Sequence, residues 1–386
     1  IRKIVDVFNG QLEVDKLSRL ISLAEIKEND FNMNIPRYID SSEPEEIQDI
    51  EAHLKGGIPN RDIEGMAKYW QVFPSLKGEL FTSNVREGYS DLKIDAAEIR
   101  KTISENKDFQ NFQKKISALF EQWAERNTPR LNTIMVGDSP KALIQSLSED
   151  MLQTFADVHL IEKYDVYQYL MDYWTTTLQD DVSMIVTESW KATPELIPAE
   201  LIIDHDFKAE KAALEALENE RDALSAQKEE LEEENSSEEG LLEELKNEKG
   251  KISKADVQKR VKEIQNDANS KEELALLTSY LGLIEKETEV NKRIKEATNG
   301  LALRVIEKYK HLSDSETKNL VVEEKWLAFL RNEIISDIEN NSQTLVQKMK
   351  IIAERYDLPL PVLSYQLEKI SEKVNQHLKN MGFEWI

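Results

Sequence analysis

Apolar residues recur at helical spacing along most of this chain. Between residues 63 and 175 the sets Trp70, Phe73, Leu76, Leu80 and Tyr164, Tyr167, Leu170, Met171, Trp174 return every three or four positions, which predicts buried helix faces. Residues 321–330, 334–353 and 363–378 read as further amphipathic helices, with Leu358-Pro359-Leu360-Pro361 breaking the last two apart. Four helix starts are written as a hydroxyl followed three residues later by an acid: Ser22 with Glu25, Ser253 with Asp256, Ser270 with Glu273 and Ser313 with Glu316.

The pattern changes at 182–203. Val182, Met184, Ile185, Val186 and then Leu201, Ile202, Ile203 are short apolar runs separated by Pro194 and Pro198, which predicts a small β insert of two short strands. Breakers punctuate 41–62, from Ser41-Ser42-Glu43-Pro44 to Gly56-Gly57-Ile58-Pro59-Asn60, as in a linker flanking one short helix. The apolar ending Met381, Phe383, Trp385, Ile386 calls for cover by a core or a partner.

From residue 210 to 249 the chain carries fifteen acids and five bases. Within it Leu217, Leu224 and Leu231 repeat every seven residues, with Leu214 as a companion, but Arg221 and Lys228 occupy the other seam positions. Charged seam residues disfavour a self-sufficient zipper and suit one arm of an antiparallel hairpin. Its tip would be Asn235-Ser236-Ser237, and its return helix would start at Ser253 with Val257, Val261 and Ile264 on its face. An arm of about 28 residues spans roughly 42 Å. The leucines Leu214, Leu217, Leu224 and Leu231 form a candidate stripe for a partner helix. The fold class that results is mainly α, a helical bundle with a coiled-coil-like hairpin. Its divisions are a closing piece of a preceding domain (1–40), a linker (41–62), a mainly helical domain (63–206), a long acidic hairpin (207–269) and a C-terminal helical region (270–386).

Composition narrows the chemistry. A net charge of −24 repels phosphate backbones, so any nucleic acid would be held by another part. The absence of Cys removes thiolate nucleophiles and Cys-ligated zinc, and is compatible with a reducing cytoplasm. No apolar run is long enough for a membrane span, and no signal peptide is in view.

No phosphate-binding glycine loop, His-Glu-x-x-His or Gly-x-Ser-x-Gly occurs, and His53, His159, His205, His311 and His377 are scattered singly. His205 between Asp204 and Asp206 reads as a small cation site or, more plainly, as a cap at a helix start. Catalytic, cofactor-binding and metal-binding residues are therefore none.

The chain opens on Ile1 without an initiator Met, and its first forty residues read as the exit from an enzyme domain whose body lies upstream. The segment 18–38 ends in Glu25-Ile26-Lys27-Glu28-Asn29-Asp30-Phe31-Asn32-Met33-Asn34-Ile35-Pro36-Arg37-Tyr38. It closely resembles the segment closing the catalytic domain in modification (M) subunits of type I restriction-modification systems, which are adenine-N6 DNA methyltransferases. The motif residues are Asn29, Asp30, Asn32, Asn34, Pro36, Arg37 and Tyr38, and Met33 stands where that family commonly has Leu. Residues 164–174, 195–198, 321–327 and 381–383 resemble the long C-terminal region of the larger M subunits.

The resemblance implies S-adenosyl-L-methionine as cofactor of the full-length parent, and a parent that is a site-specific adenine methyltransferase. It also implies assembly with a specificity (S) subunit, a second M subunit and a restriction (R) subunit, with DNA met mainly through the complex in the cytoplasm. The family's Phe-x-Gly-x-Gly turn and Asn-Pro-Pro-Phe/Tyr loop are both missing from these residues, so the segment is expected to bind no cofactor and to be inactive alone. Periodicity by itself would equally permit an independent helical scaffold, and a hydrolase using carboxylates among the 74 acids is the third reading.

Overall fold

The structure, a computed structural model, describes residues 1–41, 48–235, 242, 245, 252–267 and 270–382. It is mainly α. It divides into two compact units, one formed by Ile1–Val186 with Leu327–Ile386 and the other by Thr187–Trp326.

The first unit contains α1 (Arg2–Gly10), α2 (Leu23–Glu28), α3 (Ile50–Lys55), β1 (Ile58–Pro59), α4 (Asn60–Glu64), α5 (Ala67–Val72), α6 (Pro74–Leu80), β2 (Phe81–Ser83) and β3 (Tyr89–Leu92). It continues with α7 (Ile99–Glu105), α8 (Lys107–Asn132), α9 (Pro140–Thr154), α10 (Lys163–Tyr173) and α11 (Gln179–Glu188). Its last two helices, named for their place in the chain, are α17 (Ala328–Tyr356) and α18 (Leu360–Asn380). Asn106 starts α8 by accepting from the N–H groups of Asp108 and Phe109. Phe109, Phe112, Ile116, Phe120, Trp123 and Leu131 then follow down one buried face, where Phe73 meets Phe109 and Phe112 edge-on. Helix α17 packs on α7, α8 and α10 through Leu330, Ile334, Ile338, Leu345 and Met349.

All four residues of the Trp70–Leu80 stripe are buried, as their spacing predicts. In the second stripe Leu170 and Trp174 are buried while Tyr164, Tyr167 and Met171 are only half so, because Val166 and Tyr173 share the inward face.

The β structure lies elsewhere than expected. Residues 179–188 and 199–206 are helical, with Val182, Ile185 and Ile202 buried. The first run is the inward face of α11, which continues α10 without a break through residues 174–178, and the second that of the short α12, cases that period alone does not separate from strands. The strands are β1, β3 and β2 in that spatial order, antiparallel, with Ile58 opposite Ser90 and Phe81 opposite Leu92. Much of the expected linker is thus folded, since Ala52 and Ile58 are buried. Ser42, Glu43 and Pro44 lie outside the described residues.

The second unit contains α12 (Ala199–Asp206), α13 (Lys208–Glu234), α14 (Lys254–Ile264), α15 (Lys271–His311) and α16 (Asp314–Lys318). Helices α13 and α15 run antiparallel. Glu210 pairs with Arg304, Glu220 with Arg293 at 3.8 Å, Lys228 with Glu287 at 2.6 Å and Tyr280 with Glu232, the partner numbers falling as the first numbers rise. The return arm of the hairpin is therefore α15 and not α14, so the hairpin extends well past residue 269. An 11-residue helix is too short to cover the 27 residues of α13. Helix α14 instead packs at the far end, where Val257, Ile264, Leu277, Tyr280 and Leu242 make a separate hydrophobic cluster. Asn235 caps α13 there, with its side chain on the Leu231 carbonyl, whereas Ser236 and Ser237 lie outside the described residues.

Helix caps follow the sequence with one exception. Ser22, Ser253 and Ser313 accept from backbone N–H groups three residues on, whereas the Ser270 hydroxyl turns back to Asp267 and caps nothing.

At Ser313 the reciprocal box is complete. The Glu316 carboxylate accepts from the Ser313 N–H and hydroxyl and pairs with Lys308. These bonds, the backbone one first, lower its pKa from 4.5 to about 2. A depressed carboxylate contributes stability that is in place above pH 4.5 and is lost as pH falls toward 2. Titration of Glu316 by NMR is expected to give a midpoint near 2, and a midpoint near 4.5 would show the box open in solution.

Candidate functional site

The motif from Asn29 to Tyr38 folds as a braced loop. Its first brace is α2, whose Glu25 carbonyl accepts from both the backbone N–H and the side-chain amide of Asn29. Asp30 and Phe31 then take left-handed φ values of 52° and 56° in succession, a conformation that costs an L residue about 1–2 kcal/mol. The bend is held by Phe31 N–H on Ile26 O at 2.9 Å and by Asn34 N–H on the Asn32 side-chain oxygen at 2.9 Å. Pro36 sits in a single 3₁₀ turn, Ile35–Arg37. Tyr38 closes the loop by donating its hydroxyl to Asn32 O at 2.5 Å, and Arg19, paired with Glu25, donates to Tyr38 O.

The motif residues thus fall into two groups. Asn29, Asn32 and Tyr38 hold the loop to itself, while Asp30, Asn34, Pro36 and Arg37 are exposed. The alternate residues Phe31, Met33 and Ile35 are 64%, 72% and 67% exposed. Helix α1 behaves similarly. Arg2 and Lys3 tie it to Glu149 and Glu162, and Val7 is buried, but Ile1, Ile4, Val5 and Phe8 face solvent. So many large apolar groups turned outward over one short stretch mark a surface made to be covered.

The leucine stripe has a different fate. Leu224 is buried, Leu231 packs against the cluster at the hairpin's end, and Leu214 and Leu217 are half-buried on the same face. That face meets α15 of the same unit. The two charged seam positions are accommodated from within. Lys228 and Ser225 both donate to Glu287 across the seam at 2.6 and 2.9 Å, and the Glu287 carboxyl is held below its ordinary range chiefly by Lys228. Arg221 bonds Asp222 beside it.

A stripe that the sequence did not single out is left open. On α18, Leu360, Leu363, Leu367, Ile370 and Val374 recur at alternating steps of three and four. These five residues are 53%, 44%, 68%, 59% and 50% exposed, and the helix has no buried residue. The next seam position is His377, and Met381, one step beyond it, is 71% exposed, so this part of the C-terminal end is not covered as expected. Phe383, Trp385 and Ile386 lie outside the described residues. The alternating spacing was present in the sequence as a signal, but its exposure was not.

Metal chemistry gains no support. His205 lies in the last turn of α12, 3.3 Å from Asp206, which itself pairs with Lys308, rather than at a helix start. Among the described residues no group of three or more His, Asp or Glu side chains is placed to hold a metal ion. Among them, too, no helix is long and apolar enough to cross a membrane.

The family model described as N-6 DNA Methylase matches residues 1–47. This match, which ends just beyond the braced loop, supports an adenine DNA methyltransferase family, one that normally uses S-adenosylmethionine. No curated protein matches the chain. No solved structure matches it.

The left-handed pair offers a direct check on the loop. Glycine carries no penalty at φ 56°, and Phe31 gives up little burial. Phe31→Gly is expected to leave stability unchanged or raise it by up to about 1 kcal/mol, read by thermal melting. A loss of more than about 1 kcal/mol would show that the ring is packed in solution.

Proposed function

We propose that this chain is the C-terminal assembly region of the modification subunit of a type I restriction-modification DNA methyltransferase. Residues 1–40 close the catalytic domain, and the helices beyond hold that domain on the specificity subunit, so that the complex methylates adenine N6 at a specific site. The observation that carries the reading is the coincidence of the N-6 DNA methylase match with the stretch whose apolar side chains face outward. A closing segment has that character when the sheet it completes is formed by other residues.

Three further features support it. The cofactor turn and the Asn-Pro-Pro loop are absent from the residues of this chain, which gives the cofactor and the flipped base to another part of the subunit. The charge of −24 keeps the surface off phosphate, in line with DNA contact delegated to the complex. The exposed heptad face of α18 suits a long helix of the specificity subunit. With the Leu214–Leu231 stripe occupied by α15, α18 is the part of the helical region best fitted to that contact. A second modification subunit and a restriction subunit complete the assembly, which works in the cytoplasm.

Two measurements test this. Calorimetry of the chain with S-adenosylmethionine is expected to give no binding heat, and a measurable affinity would overturn the division of labour. Co-expression with a type I specificity subunit is expected to yield a complex that is lost in Leu367→Asp/Ile370→Asp, while melting is unchanged because both side chains are already in water. Undiminished co-purification of the double variant would remove α18 from the interface.

A further inference from the structure

The stretch 164–174 is one of those that resemble modification subunits, and the assembly role above does not call on it. Its helix, α10, serves two contacts. At its start it holds α1: Glu162 pairs with Lys3 at 2.5 Å, Lys3 lies over the Tyr164 ring at 5.9 Å, and the Tyr164 hydroxyl donates to Asp6 at 3.2 Å. Along its flank it packs on α17.

The second contact encloses an acid, Asp337 of α17. Its Oδ1 accepts from the Asn341 amide at 3.2 Å, while its Oδ2 is fully enclosed without a hydrogen-bond partner. An enclosed carboxylate oxygen with no donor is costly to ionise. The α10 groups that face it are Asp165 and Tyr169. Asp165 is exposed and lies in turn near Glu162 and Lys3, and Glu333, one turn earlier on α17, reaches Tyr169. Arg331, the cation of α17 nearest in sequence, is six residues or about 240° around the helix from Asp337 and is bonded to Glu121 of α8. The buried residues of α7 and β1, which also pack on α17, are Ile99, Ile103, Ile58 and Pro59. Asp337 thus meets a like charge across the contact and no cation among the groups that face it.

This sets it apart from the other displaced acids. Asp49, Asp108, Glu287 and Glu316 are held below the ordinary carboxylate range by N–H, hydroxyl or lysine donors. Asp337 is raised from 3.8, first by burial and then by Asp165, and Asp165 is raised by burial and then by Glu162. Two such groups titrate as a pair. The shared proton rests on Asp337, whose oxygen is enclosed, and the exposed Asp165 keeps its charge beside Lys3. Tyr169, pushed up to about 12 by burial first and by both carboxylates after it, remains a donor throughout. A raised acid contributes stability that is whole below pH 3.8 and is lost as pH rises through its folded value, the reverse of Glu316.

We propose that Asp337 is a proton latch between α17 and α10. With the proton bound the two helices close on each other; with the proton released to solvent, the Asp337 charge opposes Asp165 and loosens the end of α10 on which α1 is seated. The seat of the closing segment is thereby pH-sensitive, whichever partner covers its outer face.

The test uses the whole chain and follows hydrogen exchange of the backbone amides of α1 and α10 at about pH 4.5 and about pH 7.5, corrected for intrinsic rates, in wild type, Asp337→Asn and Asp165→Asn. Wild-type protection of both helices is expected to fall at the higher pH by roughly tenfold for each unit by which the carboxyl is raised. Asp337→Asn, which keeps the shape of the protonated acid, is expected to hold the low-pH protection at both values. Asp165→Asn is expected to keep part of the effect and to lower the Asp337 midpoint read by carboxyl NMR. Wild-type protection that does not change with pH, or a wild-type pH dependence that persists in Asp337→Asn, would overturn the latch. So would an Asp337 midpoint at or below 3.8, which is read on the wild-type chain and decides the matter even should the asparagine variant fold poorly. None of these outcomes bears on the methylase reading.

Discussion

A helix that carries an apolar stripe is stable in water only when the stripe is covered, and most of this chain is a set of answers to that requirement. Helix α17 is covered on several sides, by α7, α8 and α10. Helix α13 is covered along one side by α15, and there the cover must also deal with charge. A lysine at a seam position costs desolvation unless it meets a carboxylate, and Glu287 meets Lys228 across the pair. Where cover is missing, on much of residues 1–35 and along the α18 stripe, the exposed groups are the same kinds of residue. The difference lies in what faces them, which is why these two surfaces carry the functional argument.

Much of the secondary structure was legible because helices announce themselves locally. The spacing of Trp70, Phe73, Leu76 and Leu80 needs no knowledge of the fold, and Ser313 with Glu316 needs only three residues of separation. Ser270 shows the limit of that logic. Its hydroxyl had a competing carboxylate at Asp267, just before it, and took it. The runs around Val182 and Ile202 were misread because a short apolar run on a buried helix face and a buried strand show the same few apolar letters. The true strands, two to four residues long, are too short for any alternation to show.

Pairing was less legible than periodicity. A leucine repeat says that something lies against α13 but not what, and the nearest downstream helix was the natural choice. The structure passes over it for α15, whose length matches the arm. The candidate site divides in the same way. Chemical identity at Asn29–Tyr38 was readable as a motif, and the bracing by Asn32 and Tyr38 follows from residue type. The left-handed Phe31 and the openness of α18 are properties of three-dimensional surroundings and leave no mark in spacing.

The cluster at the far end of the α13–α15 pair changes what the connection between the two arms is. Leu242, Val257 and Ile264 are buried against Leu277 and Tyr280, with Leu231 and Ile284 alongside. The segment joining the arms is therefore a stopper as well as a tether. Trimming it to a short flexible bridge would wet the ring of Tyr280 and leave Glu232 with a solvent-facing hydroxyl for a neighbour. Arm length and the bulk of the closing segment are consequently coupled, and natural variants that lengthen the pair should carry a matching change in the residues that seal it.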